Sequence, residues 1–276
     1  MQKINYPLIV SDFDGTLVNK DGTISEKNQQ AIAAYIQAGG IFAISTGRMP
    51  KGILSRAQEL GLQGMVCCCQ GAIIMDIESG KPILEGKISF ESTLAACKKM
   101  EELGLHIHIY DFWDFYCNMD DDALKLYEYA TRSKGQCVLD KSLSQFIEEN
   151  KFCTYKLLAM VEEKDNAAIF DMLEKAAFEG CEVTKSGTNL VEVINKNYSK
   201  GTAVEFLANH YGIPLEKTIG IGDQWNDLPM IQKAGLGVAV NNADQRLKDQ
   251  ADYVCEHTNE TGAIWEVIQK FGFQEN

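Results

Sequence analysis

The feature that most constrains this chain is an apolar run, residues 7–10, that leads directly into two acids, Asp12 and Asp14, and a glycine, Gly15. Such a run is typical of a buried parallel strand, whose carboxyl end faces the crevice where α/β proteins bind ligands. Gly15 allows a sharp turn there. Two crowded carboxylates repel each other, so we expect a divalent cation that prefers oxygen ligands, Mg²⁺, to stabilise them.

Strand and helix signals alternate along residues 1–75 and again from Ser199 onward, as a parallel sheet requires. The first part should contain strands at about 7–12, 41–44 and 65–69, a hairpin turning at 21–22, a helix capped by Ser25 and a helix beginning at Pro50. The second part should contain a Ser199-capped helix to about 211, strands at 218–221 and 236–240, and helices from about 227, near 244–250 and near 262–271.

Residues 85–190 differ, because amphipathic helices and antiparallel-looking strands are mixed there. The helices are expected at about 91–103, 120–134 and 165–178, and the strands at about 105–110, 114–119, 155–161 and 190–194. We therefore predict an α/β fold with a Rossmann-like parallel-sheet core, residues 1–84 and 191–276, and an inserted α+β domain, residues 85–190.

Composition excludes some classes of function. The chain carries 39 acidic and 26 basic side chains, a net charge of -13, whereas nucleic-acid binding depends on a positive surface. Its nine cysteines include no Cys-x-x-Cys pair, which indicates reduced thiols. We expect no signal peptide, and no apolar run approaches the roughly 20 residues of a membrane span. The expected location is the cytoplasm, without nucleic-acid or membrane partners.

Asp12 and Asp14 can divide the work of phosphoryl transfer. One carboxylate attacks phosphorus and forms an aspartyl phosphate. The other gives a proton to the leaving alkoxide and later takes one from water. We assign the attack to Asp12, which is nearer the strand end, and we expect Thr16 to brace the turn. An ordinary turn with Asp in its customary place is the structural alternative.

Two further stretches suit a phosphate group. Residues 45–48 end a strand and open a helix, where groups such as those of Thr46 and Gly47 bind phosphate oxygens. Lys200 begins another helix, and its ammonium can neutralise a transferring phosphoryl group. A helix cap and a solvent-exposed lysine are the corresponding structural alternatives.

A fourth stretch, residues 222–227, places two acids and an amide at a strand-to-helix turn. Asp223 can bind a cation directly, and Asp227 can do so directly or through water. Asn226 can donate to a phosphate oxygen. Acids also stabilise the first turn of a helix without any ligand. Because all four stretches lie at strand ends or helix starts facing one rim, we predict that they converge.

In these motifs the chain closely resembles the haloacid dehalogenase-like phosphatases, and within them the Cof-type group with the type IIB cap. The matching residues are 12–16, 46–48, 200–201, 222–223 and 226–227, and the resemblance spans nearly the whole chain. It implies that Asp12 is the nucleophile and Asp14 the general acid/base. It also implies phosphate binding by Thr46 and Lys200 with help from Asn226. The implied Mg²⁺ ligands are Asp12, the backbone carbonyl of Asp14, and Asp223, with Asp227 nearby.

Motif spacing locates the inserted domain, which the resemblance identifies as a C2-type cap. About thirty residues separate Thr16 from Thr46, whereas about 150 separate Thr46 from Lys200, so the cap follows the third strand. One departure concerns Gln70, which stands where this group usually has Asn before Gly-Ala.

Three features of the inserted domain bear on the substrate. Aromatic residues at 110–116, including Tyr110 and Trp113, could stack on a sugar or a flat ring, or pack between strands and helices. A polar loop at 185–189, including Ser186 and Asn189, could meet substrate hydroxyls. His106 and His108 point the same way along one strand, but two residues are too few for a zinc site, so we interpret them as ordinary strand positions.

We predict a Mg²⁺-dependent phosphatase, a monomer or homodimer, that acts on a small phosphorylated metabolite through phospho-Asp12. Sugar or polyol phosphates are the expected substrates, with flavin mononucleotide and pyridoxal phosphate as alternatives. Two other functions stay open. A phosphosugar mutase would use the same nucleophile but shield it from water, and a phosphate-dependent sensor would keep the fold without turnover.

Overall fold

The chain forms two compact units in the computed structural model, which describes residues 3–274. The first unit comprises residues 3–46, 54–83 and 199–274, and the second comprises Gly47–Ile53 and Leu84–Tyr198. The predicted insertion, residues 85–190, ends before this division, because the strand Leu190–Asn195 pairs within the second unit. Within residues 3–274, no helix has the length and apolar character that crossing a membrane requires.

An eight-stranded sheet forms the centre of the first unit. Its strands are β1 (Leu8–Ser11), β2 (Ile41–Ser45), β3 (Met65–Cys68), β4 (Ile73–Asp76), β5 (Pro82–Glu85, which crosses the division), β12 (Thr218–Gly222), β13 (Leu236–Ala239) and β14 (Tyr253–Val254). They lie in the order β14-β13-β12-β1-β2-β3-β4-β5. The six strands from β14 to β3 are parallel, and β4 is antiparallel to β3. The predicted α/β class is confirmed, whereas β4, β5 and β14 were not predicted.

The register of β1 brings three strand ends level with one another. Leu8, Ile9 and Val10 are fully buried between β12 and β2. Ser11 pairs with Ile221 on one side and with Ile44 on the other. The polar residues that follow β1, β2 and β12 therefore emerge at the same edge of the sheet.

Helix starts in the first unit follow the predicted capping residues. The helices are α1 (Glu26–Gln37), α2 (Pro50–Glu59, which crosses the division), α7 (Lys200–Tyr211), α8 (Leu228–Lys233), α9 (Gln245–Lys248) and α10 (Ala263–Val267). Ser25 and Ser199 cap α1 and α7 as expected. The predicted hairpin at 21–22 is wrong in one respect: Gly22 N–H donates to the Asn19 carbonyl at 2.9 Å, which closes a turn, but no strands flank it.

The second unit contains a six-stranded sheet and four helices. Its strands lie in the order β10-β11-β9-β6-β7-β8. They are β6 (His106–Tyr110), β7 (Phe115–Cys117), β8 (Gly135–Cys137), β9 (Lys156–Met160), β10 (Cys181–Gly187) and β11 (Leu190–Asn195), and the helices are α3 (Phe90–Glu102), α4 (Asp122–Thr131), α5 (Leu143–Asn150) and α6 (Asn166–Ala176). β8, β10 and α5 were not predicted. The helix expected at 120–134 ends at Thr131, because Arg132 adopts a left-handed conformation with φ 54°.

The two faces of this sheet differ in chemistry. Residues such as Ile107, Leu157 and Val193 form an apolar core with α3, α5 and α6. The alternate positions on β6, β9 and β11 carry several polar side chains, which are buried: His106, His108, Tyr110, Lys156 and Glu192. We call these five residues the polar face of the second unit.

Candidate active site

Three carboxylates meet at the edge of the first unit's sheet. Asp12 directly follows β1, Asp223 follows β12, and Asp227 ends the short 3-10 turn Trp225–Asp227 that precedes α8. One oxygen of each lies within 4.8 Å of the others. The three residues are only 5%, 4% and 0% exposed, respectively. Since buried carboxylates repel each other strongly, this cluster requires positive charge nearby.

Lys200 supplies part of that charge. Its Nζ donates to Asp12 Oδ1 and to Asp227 Oδ1, each at 2.5 Å. Lys200 is the first residue of α7, and a capping box between Ser199 and Thr202 fixes this helix turn: Thr202 N–H donates to Ser199 Oγ at 3.2 Å. Lys200 is 2% exposed, so the alternative of a solvent-exposed lysine does not hold.

Asp227 braces the site through both of its oxygens. Oδ2 accepts the backbone N–H groups of Asp223 and Gln224, both at 2.9 Å. Because Oδ1 accepts from Lys200, each oxygen already has a protein donor. Asp227 thus holds the loop after β12 and the ammonium of Lys200 in fixed positions.

The turn after β1 packs directly on Asp223. Thr16 Oγ1 donates to Asp223 Oδ1 at 2.7 Å. A Cβ atom on Gly15 would lie 2.6 Å from Asp223 Oδ2, and Gly15 has a φ of +80°. This position therefore needs glycine both for the backbone conformation and for the close approach. Thr16 orients the carboxylate, which is the bracing role expected from the sequence.

Burial and charge shift the pKa values of these groups. Burial raises the pKa of Asp12 well above its usual range, and Asp227 and Asp223 add to this although Lys200 opposes it. Burial and the charge of Asp227 raise the pKa of Asp223 to about 6. Burial lowers the pKa of Lys200, but Asp12 and Asp227 outweigh that effect, so the pKa is above its ordinary value.

The donor set fits a divalent cation. Three buried carboxylates face one ammonium, which leaves a net negative charge in a site made of oxygen ligands, the ligands that Mg²⁺ prefers. Asp227 is the least available of the three, because Lys200 donates to its Oδ1 at 2.5 Å and two backbone N–H groups donate to its Oδ2 at 2.9 Å. The bond that Asp223 Oδ2 accepts, from Gln224 Nε2, is longer at 3.3 Å.

Three other predicted site residues follow the strands β1 and β2. Asp14 is exposed, two residues beyond Asp12. Thr46 follows β2 and is buried, with its N–H donating to the Cys67 carbonyl at 2.9 Å. Gly47 begins the segment that belongs to the second unit, and its phosphate-binding role stays a prediction.

Asn226 contacts the residue that departs from the family pattern. Its Nδ2 donates to Gln70 Oε1 at 3.1 Å. Gln70 is 2% exposed and has a left-handed backbone, with φ 60°. The sequence pointed to Gln70 as an exception, but its hydrogen bond with Asn226 was not predicted.

The residues of the second unit that were predicted to contact the substrate lie in different environments. The Tyr110 hydroxyl lies 2.7 Å from the Tyr127 hydroxyl, and its ring stacks on Phe115 with centroids 5.6 Å apart. Trp113 is 44% exposed. Ser186 lies on β10 rather than in a loop, which corrects the prediction for 185–189. Asn189 lies in the turn between β10 and β11.

Sequence reasoning missed the ion pair Lys156–Glu192 on the polar face. Lys156 Nζ donates to Glu192 Oε1 at 2.9 Å, and Ser186 Oγ donates to the same oxygen at 2.6 Å. Both charged side chains are almost completely buried, at 2% and 1% exposure. The available signal was one charged residue in each of two largely apolar strands, β9 and β11.

Comparison with known proteins agrees with this geometry. A family model for haloacid dehalogenase-like hydrolases matches residues 9–268. Phosphatase YwpJ of Bacillus subtilis is 26% identical, over 92% of this chain and 96% of the relative. The 5-amino-6-(5-phospho-D-ribitylamino)uracil phosphatase YcsE of Bacillus subtilis is 26% identical, over 95% of this chain and 94% of the relative.

Solved structures share the fold. A haloacid dehalogenase-like hydrolase from Bacteroides thetaiotaomicron superposes with a TM-score of 0.82 at 26% identity, covering 96% of this chain and 99% of the other. A subclass IIB sugar phosphatase has the same TM-score, 0.82, at 23% identity, covering 96% and 98% of the two chains. The resemblance first seen in the motifs therefore extends over both units.

Proposed function

Because this chain belongs to the haloacid dehalogenase-like hydrolases and is a phosphatase, we propose that it hydrolyses small phosphomonoesters with Mg²⁺ as cofactor and Asp12 as nucleophile. The observation that carries this proposal is the contact of Lys200 with Asp12 inside a cluster of three buried carboxylates. An ammonium held against the attacking carboxylate can neutralise charge that builds up during phosphoryl transfer.

The proposed reaction has two steps. An oxygen of Asp12 attacks phosphorus, and the bond from phosphorus to the alkoxide breaks while Asp14 gives the alkoxide a proton. Asp14 then takes a proton from water, which attacks the phosphoryl group on Asp12 and releases phosphate. Exposure of the Asp14 side chain is compatible with a leaving group that arrives from solvent.

The remaining groups hold and position the phosphoryl group. Thr46 and Asn226 would bind the phosphoryl oxygens. Lys200 would neutralise the negative charge of these oxygens and of Asp12. Asp12, Asp223 and the Asp14 carbonyl would hold Mg²⁺, which when bound withdraws negative charge from the phosphoryl oxygens. Asp227 would keep Lys200 and the Asp223 loop in place.

We propose a sugar or polyol phosphate as substrate. One relative is named for a substrate with a phosphorylated ribityl chain, and a structural neighbour is a sugar phosphatase.

Phosphate release tests the proposal. The wild-type enzyme is incubated with sugar, polyol, flavin and pyridoxal monoesters, with Mg²⁺ or with EDTA. We expect release only with Mg²⁺, a loss of at least about 10³-fold in Asp12→Asn, and a loss of about 10²- to 10⁴-fold in Asp14→Asn. Asp21→Asn is the matched control, because Asp21 lies in an exposed turn.

Mass spectrometry of acid-quenched enzyme should detect one added phosphoryl group on Asp12, most abundantly in Asp14→Asn. Near-normal turnover by Asp12→Asn would refute covalent catalysis. A bisphosphate requirement with little net release of phosphate would instead indicate a mutase.

A further inference from the structure

Two cysteines face each other at the edge of the second unit's sheet. β7 and β8 run parallel, and Cys117 and Cys137 are partners in their register. Their Sγ atoms lie 3.2 Å apart. Adjacent strands are separated by about 4.7–4.9 Å, a spacing that falls within the Cα separations of about 4.4–6.8 Å that a disulfide spans. Small side-chain rotations can therefore bring the sulfurs to bonding distance.

We propose that Cys117 and Cys137 form a reversible intrachain disulfide when the enzyme meets a small-molecule disulfide such as oxidised glutathione. No established activity of the chain uses these residues, and the proposal is independent of the proposed phosphatase mechanism. It goes beyond the expectation from composition that the cysteines are reduced thiols.

The two thiols have unequal access to an oxidant. Of the nine cysteines, all of which lie within residues 3–274, Cys137 alone is exposed, whereas Cys117 is buried. Burial, together with the neighbouring Cys137, raises the pKa of the Cys117 thiol. Cys137 should thus react first and Cys117 second.

The thiol–disulfide exchange with oxidised glutathione takes place in two steps. Cys137 loses its proton and attacks one sulfur of oxidised glutathione, which forms a mixed disulfide and releases one glutathione thiolate. Cys117 then loses its proton and attacks Cys137 Sγ, which forms the intrachain bond and releases the second glutathione thiolate. The two cysteines lose two protons and two electrons, and one glutathione disulfide becomes two thiols.

The bond would tether α4 to the sheet. α4 lies between the two cysteines, and its Tyr127 contacts Tyr110 and His108 on the polar face. Closing the loop from 117 to 137 restricts the unfolded chain, so oxidation should raise Tm by about 5 °C or more.

Peptide mapping tests the proposal without requiring activity. Full-length enzyme is treated with oxidised glutathione, its remaining thiols are blocked with N-ethylmaleimide, and it is digested with trypsin after unfolding. Cys117 lies in the tryptic peptide 100–125 and Cys137 in 135–141, and each peptide contains one cysteine. We expect the two peptides to be joined without reductant and to separate with dithiothreitol.

Matched variants make the result specific. Cys153→Ser, which removes a half-buried cysteine of the same unit, should leave the joined peptides, whereas Cys137→Ser should abolish them. The proposal fails if Cys137 remains bound to glutathione while Cys117 is alkylated, or if Cys137 bonds to another chain. Because the wild-type mapping alone distinguishes these outcomes, the test does not depend on whether a Cys117 variant folds.

Discussion

Without metal, the acid cluster of the first unit should make folding stability depend on pH in an unusual direction. Asp223 has a pKa of about 6 against an ordinary value of 3.8, because burial and the charge of Asp227 oppose its ionisation. Asp223→Asn removes this ionisation and keeps the shape of the side chain. The difference in unfolding free energy between wild type and variant therefore reports the ionisation of Asp223 together with its effect on Asp12.

The sign follows from proton binding. Between about pH 4 and pH 6, native Asp223 keeps a proton that the unfolded chain has released, so the unfolding free energy of the wild type falls as pH rises. A shift from 3.8 to about 6 corresponds to about 3 kcal/mol, at 1.36 kcal/mol per pKa unit. This stabilisation is complete below about pH 4 and lost above about pH 6. The pKa of Asp12 is raised as well, so its ionisation adds to the fall in the wild type.

Urea denaturation in EDTA at pH 4 and pH 7 measures the effect. Relative to Asp223→Asn, the wild type should lose about 3 kcal/mol of stability between these values. Adding Mg²⁺ at pH 7 should restore the unfolding free energy of the wild type and change that of the variant much less. A cation that binds only the native state stabilises that state.

A constant difference between wild type and variant from pH 4 to pH 7 in EDTA would refute the reasoning, because it would mean that burial does not oppose ionisation of Asp223. Asp21→Asn provides the control. Hydrogen bonds from Thr23 lower the pKa of Asp21, so any change with pH should have the opposite sign.

Two further predictions concern buried contacts. Glu192→Leu should lower the unfolding free energy by about 3–5 kcal/mol, because Lys156 is left buried without its partner, and adding Lys156→Met should recover most of this loss in urea denaturation. Gly15→Ala should reduce kcat/KM sharply, since its Cβ would lie 2.6 Å from Asp223 Oδ2. Gly104→Ala has a similar positive φ but open space around it, so it should cost about 1–2 kcal/mol of stability and leave kcat/KM unchanged.

The elements that position the site could be predicted because their signals are local. The apolar run of β1 ends at the acids, and Ser199 caps α7 immediately before Lys200, so each chemical group is adjacent to the signal that places it. Parallel strands then bring these ends to one edge of the sheet. The family and the phosphatase activity, inferred from the same motifs, are confirmed.

Features that depend on tertiary pairing could not be predicted from the sequence. β10 is an edge strand with a largely polar sequence and no fully buried residue, so alternation gives little signal. Its position nevertheless decides whether Ser186 is a loop residue or a partner of Glu192. The left-handed backbone of Gln70 is likewise imposed by its surroundings, since glutamine has no intrinsic preference for that conformation.

The discontinuity of the first unit has a consequence for synthesis on the ribosome. β1 lies between β2, which follows soon after it, and β12, which is translated roughly two hundred residues later. Until β12 emerges, one side of an apolar strand has open hydrogen-bonding groups, the kind of edge on which nascent chains aggregate. Most of the second unit is a single uninterrupted stretch, Leu84–Tyr198, so it can fold earlier, whereas Asp12 can contact Lys200 only after roughly two hundred residues have been translated.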